Sequence, residues 1–302
     1  MRALDLPSEP EEPGRAERPA EGGTDRGRVR ETPDPDERGR VYETMRAHVS
    51  VDTGGAAEPA RRPDGADRRS YWDEVPRFLD MWADHEKRWP ARSPAPVDRS
   101  DDPLGVDVAT AEATCRVREA EPGISADAQA IERENDRGGW LQGFEFRLKD
   151  EDSLKEKVTK KLEAEPRMTA VEALHEVSDA IRYTYCFQLD AYVKGYYDIN
   201  ERLESRGHEM WFSKNWWTHR EYKGINTRWI SPDGQRFEVQ FHTQESFHAK
   251  HHVTHAAYER IRDPTTSRRE LRELHEFQKE VCSRIRVPDG AGAIPDFRKE
   301  GF

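Results

Sequence analysis

Arg147, Lys149, Ser153 and Lys157 place two basic side chains two positions apart, then a hydroxyl and a further lysine at four-residue steps. Arg147 and Lys149 share a face if their segment is extended, and Ser153 and Lys157 lie about one turn apart if the next segment is helical. Such a set could surround a triphosphate, with Arg supplying a planar fork, Lys a point charge and the helix start its free amides. Taken alone, the same residues also read as a solvated helix face, because Glu151, Asp152 and Glu156 are interleaved among them. Further along, Glu238, Gln240 and His242 alternate with Phe237, Val239 and Phe241. A strand there sets a carboxylate, an amide and an imidazole in a row on one face, with the apolar triplet on the other. That carboxylate could hold Mg²⁺ or accept a proton from an attacking hydroxyl; the plain alternative is a solvent-facing strand. Tyr222, just after the aromatic segment Trp211 to Trp217, reads either as an exposed stacking platform for a base or as core, with Lys214-Asn215 close enough to assist. His251, His255 and Glu259 fall at four-residue steps but do not form the His-Glu-x-x-His pattern, so they read as structural rather than metal-binding.

The elements that must position these groups follow from the flanking pattern. Phe144 to Leu148 alternates like a strand, and Asp152 can cap a helix running to about Leu162. Thr169 and Glu172 form a capping-box pattern opening a helix through Val177. Ile181, Tyr183, Tyr185 and Phe187 alternate with Arg182, Thr184, Cys186 and Gln188, which predicts a strand with one apolar face. A helix from about Asp190 should end near Gly207, and Ser231-Pro232-Asp233-Gly234 should turn a hairpin between Ile225 to Ile230 and Arg236 to His242. Two long helices close the region, the second opening at Ser267 and Glu270 with Leu271, Leu274, Val281 and Ile285 along one face. Upstream, Tyr71-Trp72, Val75, Phe78-Leu79 and Trp82 predict a short amphipathic helix, and Glu121-Pro122-Gly123 should separate two helices, Ala109 to Ala120 and Ala126 to Glu134. The expected fold class is α+β, a mixed sheet of four or five strands flanked by helices.

Composition bounds the rest. Of 302 residues only 34% are hydrophobic and 36% are charged, too polar for one compact domain of that length. Residues 1–67 are rich in Pro, Gly, Glu, Asp and Arg and are expected to be a disordered tail. Residues 68–108 then form the amphipathic helix and a Pro/Asp-rich linker, 109–286 the functional domain, and 287–302 a C-terminal tail. The net charge of −11 argues against a protein that coats nucleic acid but leaves room for a local basic pocket. Cys115, Cys186 and Cys282 have no paired spacing, which disfavours a disulfide framework or a zinc site. The chain as written carries no signal peptide and no apolar span, so a cytoplasmic, membrane-free protein is expected.

The segments Arg147-Leu148-Lys149 with Ser153 and Lys157, then Asp179 to Thr184, Tyr222 to Asn226, and Glu238 to Thr243 occur in the order found in the synthetase domain of RelA/SpoT-like nucleotidyltransferases. The chain resembles that family across roughly residues 141–260, and most of all its small synthetase-only and toxin-type members. The resemblance implies transfer of the β,γ-diphosphate of ATP to a 3′-hydroxyl, releasing AMP, as in (p)ppGpp or (p)ppApp synthesis. Arg147, Lys149, Ser153, Lys157 and Arg182 would hold ATP. Asp179 and Glu238 would bind Mg²⁺, with Glu176 the alternative to Asp179, and Glu238 would also deprotonate the acceptor. Tyr222 would stack on the acceptor base, with Lys223, Asn226, Gln240 and His242 beside it. Arg182 follows Asp179 by three residues where long-form members have five, Glu221 stands where they have Gly, and His242 where they have Arg. The acceptor is therefore open between GTP, GDP, ATP and the 3′ end of tRNA, the last as a toxin-type activity with an antitoxin or immunity partner. No His-Asp doublet occurs, so the hydrolase half of bifunctional members is not expected. An inactive nucleotide-binding regulatory module is the third reading.

Overall fold

The computed structural model describes residues 70–90, 106–165 and 167–300. The expected disordered tail over residues 1–67 and most of the Pro/Asp-rich linker lie outside the described residues. The fold is α+β, built on a six-stranded mixed sheet in the order β1-β2-β5-β4-β3-β6. The long strands are β2 (Arg182–Phe187), β3 (Glu209–Asn215), β4 (Ile225–Ile230) and β5 (Arg236–Thr243). The two further strands, β1 (Trp140–Leu141) and β6 (Phe297–Arg298), are two-residue edges. Among the described strands only β2 and β5 run parallel; β4 pairs antiparallel with β5, as the Ser231 to Gly234 turn dictates, and also with β3. The C-terminal segment expected as a tail thus contributes an edge strand, β6, paired with β3.

One sheet face is apolar. Tyr183, Val239 and Thr227 lie in one cross-strand row and Tyr185, Phe241 and Ile225 in the next, all buried. Helices α2 (Val106–Glu134) and α5 (Tyr192–Ser205) cover this face. The Tyr185 hydroxyl donates to the Ala128 carbonyl at 2.7 Å, and Tyr196 meets Phe241 edge to face at 4.9 Å. Helix α2 runs unbroken through Pro122 and Gly123, where two helices were expected. Val117, Ile124, Ala128 and Ile131 fall on one face spanning the break and bury in one core, and that burial outweighs the roughly 3 kcal/mol cost of an internal proline.

The segment around Phe144 departs from expectation as well. Phe144–Phe146 is a 3₁₀ turn rather than a strand, entered through Gly143 at φ 65°. Extended pairing survives only at Leu148, bridged antiparallel to Ile181. The following helix α3 (Glu151–Ala164) is capped by Asp150, not Asp152, the carboxylate accepting from the Ser153 amide and hydroxyl at 2.7 Å each. Helix α4 (Ala170–His175) has the expected Thr169–Glu172 capping box.

After β5, the first of the two long helices is instead three pieces: α6 (Gln244–His248), a π turn (Ala249–Val253) and α7 (His255–Arg262). The Thr254 amide reaches back five residues to the Ala249 carbonyl at 2.8 Å. Such π turns are uncommon and concentrate at functional sites. Helix α8 (Arg268–Arg284) starts at a Ser267 cap. Against these packs α1 (Tyr71–Arg88), whose Tyr71, Trp72, Val75, Phe78 and Trp82 join the main core. The Tyr71 hydroxyl bonds His248 Nδ1 at 2.8 Å. No helix among the described residues is long and apolar enough to cross a membrane.

Candidate active site

The second sheet face is polar, buried at its centre and partly exposed at Arg182, Arg228 and Lys214. Register places Arg182, Glu238 and Arg228 in one cross-strand row, and Thr184, Gln240, Asn226 and Lys214 in the next. Glu238, Gln240 and His242 share this face as their alternation requires, but all are buried, so the strand does not face solvent. Such a set of interior polar groups is tolerable only if each finds a partner.

Asp179, in the turn before β2, is the focus of the cationic groups. Lys157 Nζ lies 2.8 Å from both carboxylate oxygens, Arg182 Nη2 at 2.9 Å and Lys149 Nζ at 3.1 Å. Lys149 gets there because Arg147 to Lys149 runs beside Ala180 to Arg182: the Lys149 amide bonds the Ala180 carbonyl at 3.0 Å and the Arg182 amide the Arg147 carbonyl at 2.8 Å. Burial pushes the Asp179 carboxyl up, and Lys157, Lys149 and Arg182 together override it, holding the group well below the usual carboxylate range. Arg182 also reaches Glu238 Oε2 through Nε at 3.2 Å. Burial opposes its charge, but Glu238 and Asp179 raise its pKa further. Glu176, the alternative carboxylate, is exposed and paired with Lys161 at 2.6 Å, outside this cluster.

Two residues grouped with these by spacing sit apart from them. Arg147 lies over the Phe144 ring at 4.6 Å, its Nε 2.5 Å from Glu121 of α2. Ser153 spends its hydroxyl on the Asp150 cap. The structure therefore brings Lys149, Lys157, Arg182, Asp179 and Glu238 together and leaves Arg147 and Ser153 at the margin.

On the other side of Gln240 lies a second chain of hydrogen bonds. The Tyr222 hydroxyl donates to Asn226 Oδ1 at 2.9 Å and lies 3.1 Å from His242 Nε2, while His242 Nδ1 is 2.9 Å from Ser246 Oγ. Tyr222 is thus buried rather than an exposed platform, and burial drives its phenol pKa up. Burial, with the Lys250 charge beside it, keeps the His242 imidazole neutral. Gly224 makes this packing possible: a Cβ there would lie 2.7 Å from His242 Cε1. Lys223 takes no part, since its ammonium donates to the Trp217 and His219 carbonyls at 2.9 and 2.6 Å and closes the β3–β4 loop.

Three residues were not legible as site groups. Arg228 opposes Glu238 in register, a pairing readable from the hairpin once Glu238 is singled out. Glu121 was read as part of a helix breaker. Lys250 hydrogen-bonds Gln240 Oε1 from the π turn, and no spacing signal predicts that turn. Burial, then repulsion from Arg182, brings its pKa down to about 7.

No protein-family model matches the chain, and no curated protein is similar to it in sequence. Solved structures are similar in fold. The Type VI effector Tas1, solved in complex with its immunity protein, is 16% identical over 62% of this chain and 100% of its own, with a TM-score of 0.41. Small alarmone synthetase 1 from Bacillus subtilis is 14% identical over 55% of this chain and 86% of its own, with a TM-score of 0.39. A GTP pyrophosphokinase family protein from Streptococcus pneumoniae is 14% identical over 59% of this chain and 97% of its own, with a TM-score of 0.35. All three TM-scores lie below 0.5, so a functional reading rests on the side-chain geometry.

Among the described residues no group of three or more His, Cys, Asp or Glu side chains is placed to hold a metal ion, so protein donors to a divalent ion here come down to two carboxylates. Asp179 and Glu238 are two buried carboxylates facing the same guanidinium, hard oxygen donors of the kind Mg²⁺ takes together with substrate phosphates and water.

Proposed function

We propose that the chain transfers the β,γ-diphosphate of ATP to the 3′-hydroxyl of a purine nucleotide and releases AMP. The observation that carries this reading is the convergence of Lys149, Lys157 and Arg182 on Asp179, with Glu238 across Arg182, inside a chain of net charge −11. Three partly buried cations around one buried carboxylate leave a local positive surplus, which a polyphosphate neutralises.

In this reading Lys149, Lys157 and Arg182 bind the β- and γ-phosphate oxygens and offset charge as it develops on the transferred group. Glu238 accepts the proton of the acceptor 3′-hydroxyl; each of its oxygens holds one hydrogen bond here and keeps a further lone pair. The new bond joins the acceptor oxygen to the β-phosphorus, the bond from that phosphorus to the α–β bridging oxygen breaks, and the bridging oxygen leaves on AMP. Asp179 and Glu238 would hold Mg²⁺, which when bound supplies charge neutralisation at the phosphates. The acceptor base enters beside Tyr222 and Asn226, which keep a little exposure, with the fully buried Gln240 and His242 supporting that side from behind.

Purified protein given ATP, Mg²⁺ and GTP, GDP or excess ATP should release AMP, and Glu238→Gln should lower the rate by about 10²–10⁴-fold, the usual contribution of a general base. AMP release with tRNA alone would move the acceptor to the tRNA 3′ end. Absence of AMP with every acceptor would overturn the reading.

A further inference from the structure

Lys250 is 4% exposed, and its one hydrogen-bond partner among the described residues is a neutral amide oxygen, Gln240 Oε1. An interior ammonium with no carboxylate bound to it is costly, so the position needs a reason beyond packing. Burial and Arg182 bring its pKa down to about 7, a measure of that cost.

The reason lies in the polarity of the chain it starts. In its ammonium form Lys250 only donates, and a carboxylate only accepts. Gln240, fully buried between the two, must therefore turn its carbonyl to Lys250 and its N–H₂ to Glu238, where Nε2 lies 2.5 Å from Oε1. The flipped amide would set donor against donor and acceptor against acceptor. Terminal torsions of Gln and Glu are broad and hold no orientation by themselves. Glu238 is fixed only because Arg182 holds Oε2 at 3.2 Å while Gln240 holds Oε1, and Gln240 is fixed by Lys250. The π turn delivers the lysine, and α1 braces that turn through Tyr71 and His248.

We propose that Lys250 is a positioning residue for the reaction, orienting the Glu238 carboxylate through the Gln240 amide. This rests on the diphosphate-transfer reading above and adds to it a residue ten positions beyond Gln240 on a different element.

The test is a mutant cycle read by AMP release from ATP. Lys250→Met and Gln240→Met should each lower kcat by about 10–100-fold while KM for ATP stays within about twofold, and the double variant should fall no lower than Gln240→Met alone, the non-additivity of groups acting in series. Lys250→Arg keeps a donor-only cation and should retain at least about ten times the kcat of Gln240→Met. It carries the test if Lys250→Met does not fold by circular dichroism. Wild-type kcat in Lys250→Met, losses that multiply in the double variant, or Lys250→Arg as slow as Gln240→Met would each overturn the proposal. A wild type that releases no AMP from any acceptor would instead overturn the reading beneath it, and the two failures are told apart by that single control.

Discussion

Asp179 neutralises part of a group of cations that would otherwise repel one another in the interior. Removing its charge in Asp179→Asn leaves Lys149, Lys157 and Arg182 without their shared carboxylate. The expected cost is about 3–5 kcal/mol, measured by urea denaturation, with partial recovery on adding tripolyphosphate. The sign of its pH dependence follows from its depressed pKa: the stabilisation is complete above the unfolded carboxyl value of about 4 and is lost as pH falls through the lower folded value. Lys250 acts in the opposite direction. Folded, it titrates at about 7, while unfolded it titrates at about 10.4, so the unfolded chain binds the extra proton between those values. Stability should therefore rise as pH goes from about 7 toward about 10, and Lys250→Met should flatten that rise in denaturation curves taken across the window. Of these two residues, Asp179 was legible only through family resemblance and Lys250 not at all, because neither spacing nor periodicity encodes which charge a side chain will meet.

At the scale of elements, the β3–β4 loop and β5 are fitted to each other at Gly224. Its φ is 148°, and a Cβ would stand 2.7 Å from His242 Cε1 and 3.0 Å from the Phe241 carbonyl oxygen. Gly224→Ala should displace His242, break its bonds to Tyr222 and Ser246, and destabilise the protein by about 1–3 kcal/mol in thermal melts. It should raise the acceptor KM more than the ATP KM, since the cations around Asp179 are untouched. The hairpin, the helix caps at Thr169 and Ser267 and the alternation in β2 and β5 were all readable, because each arises from near-neighbour sterics and hydrogen bonds. The 3₁₀ turn at Phe144 and the π turn at Ala249 were not. Both are deviations that packing imposes on segments whose local pattern favours regular structure.

For the molecule as a whole, α1 is part of the core and not an appendage. Tyr71, Trp72, Val75, Phe78 and Trp82 are buried, and Arg77 and Arg88 pair with Glu280 and Glu273 of α8 at 2.5 and 3.0 Å. At about 1.5–3 kcal/mol for each large apolar side chain buried, these five rival the whole stability of a typical domain. A chain beginning at residue 105 should therefore be poorly soluble or melt far lower than the full chain, and soluble yield with a thermal scan checks it. An unchanged melting temperature would make α1 an accessory. The sequence by itself determined the α+β class, the order of the chemical segments, which strand residues share a face, and where most helices begin, since these depend on backbone sterics and on the 2.0 and 3.6 periods. Only the tertiary structure decided that Glu238, Gln240 and His242 are buried, that Lys149, Lys157 and Arg182 meet at Asp179 while Arg147 turns to Glu121, and that Lys250 completes the line to Glu238. Those outcomes join residues far apart in the chain, and their energies come from burial and charge pairing that exist only once the elements have packed.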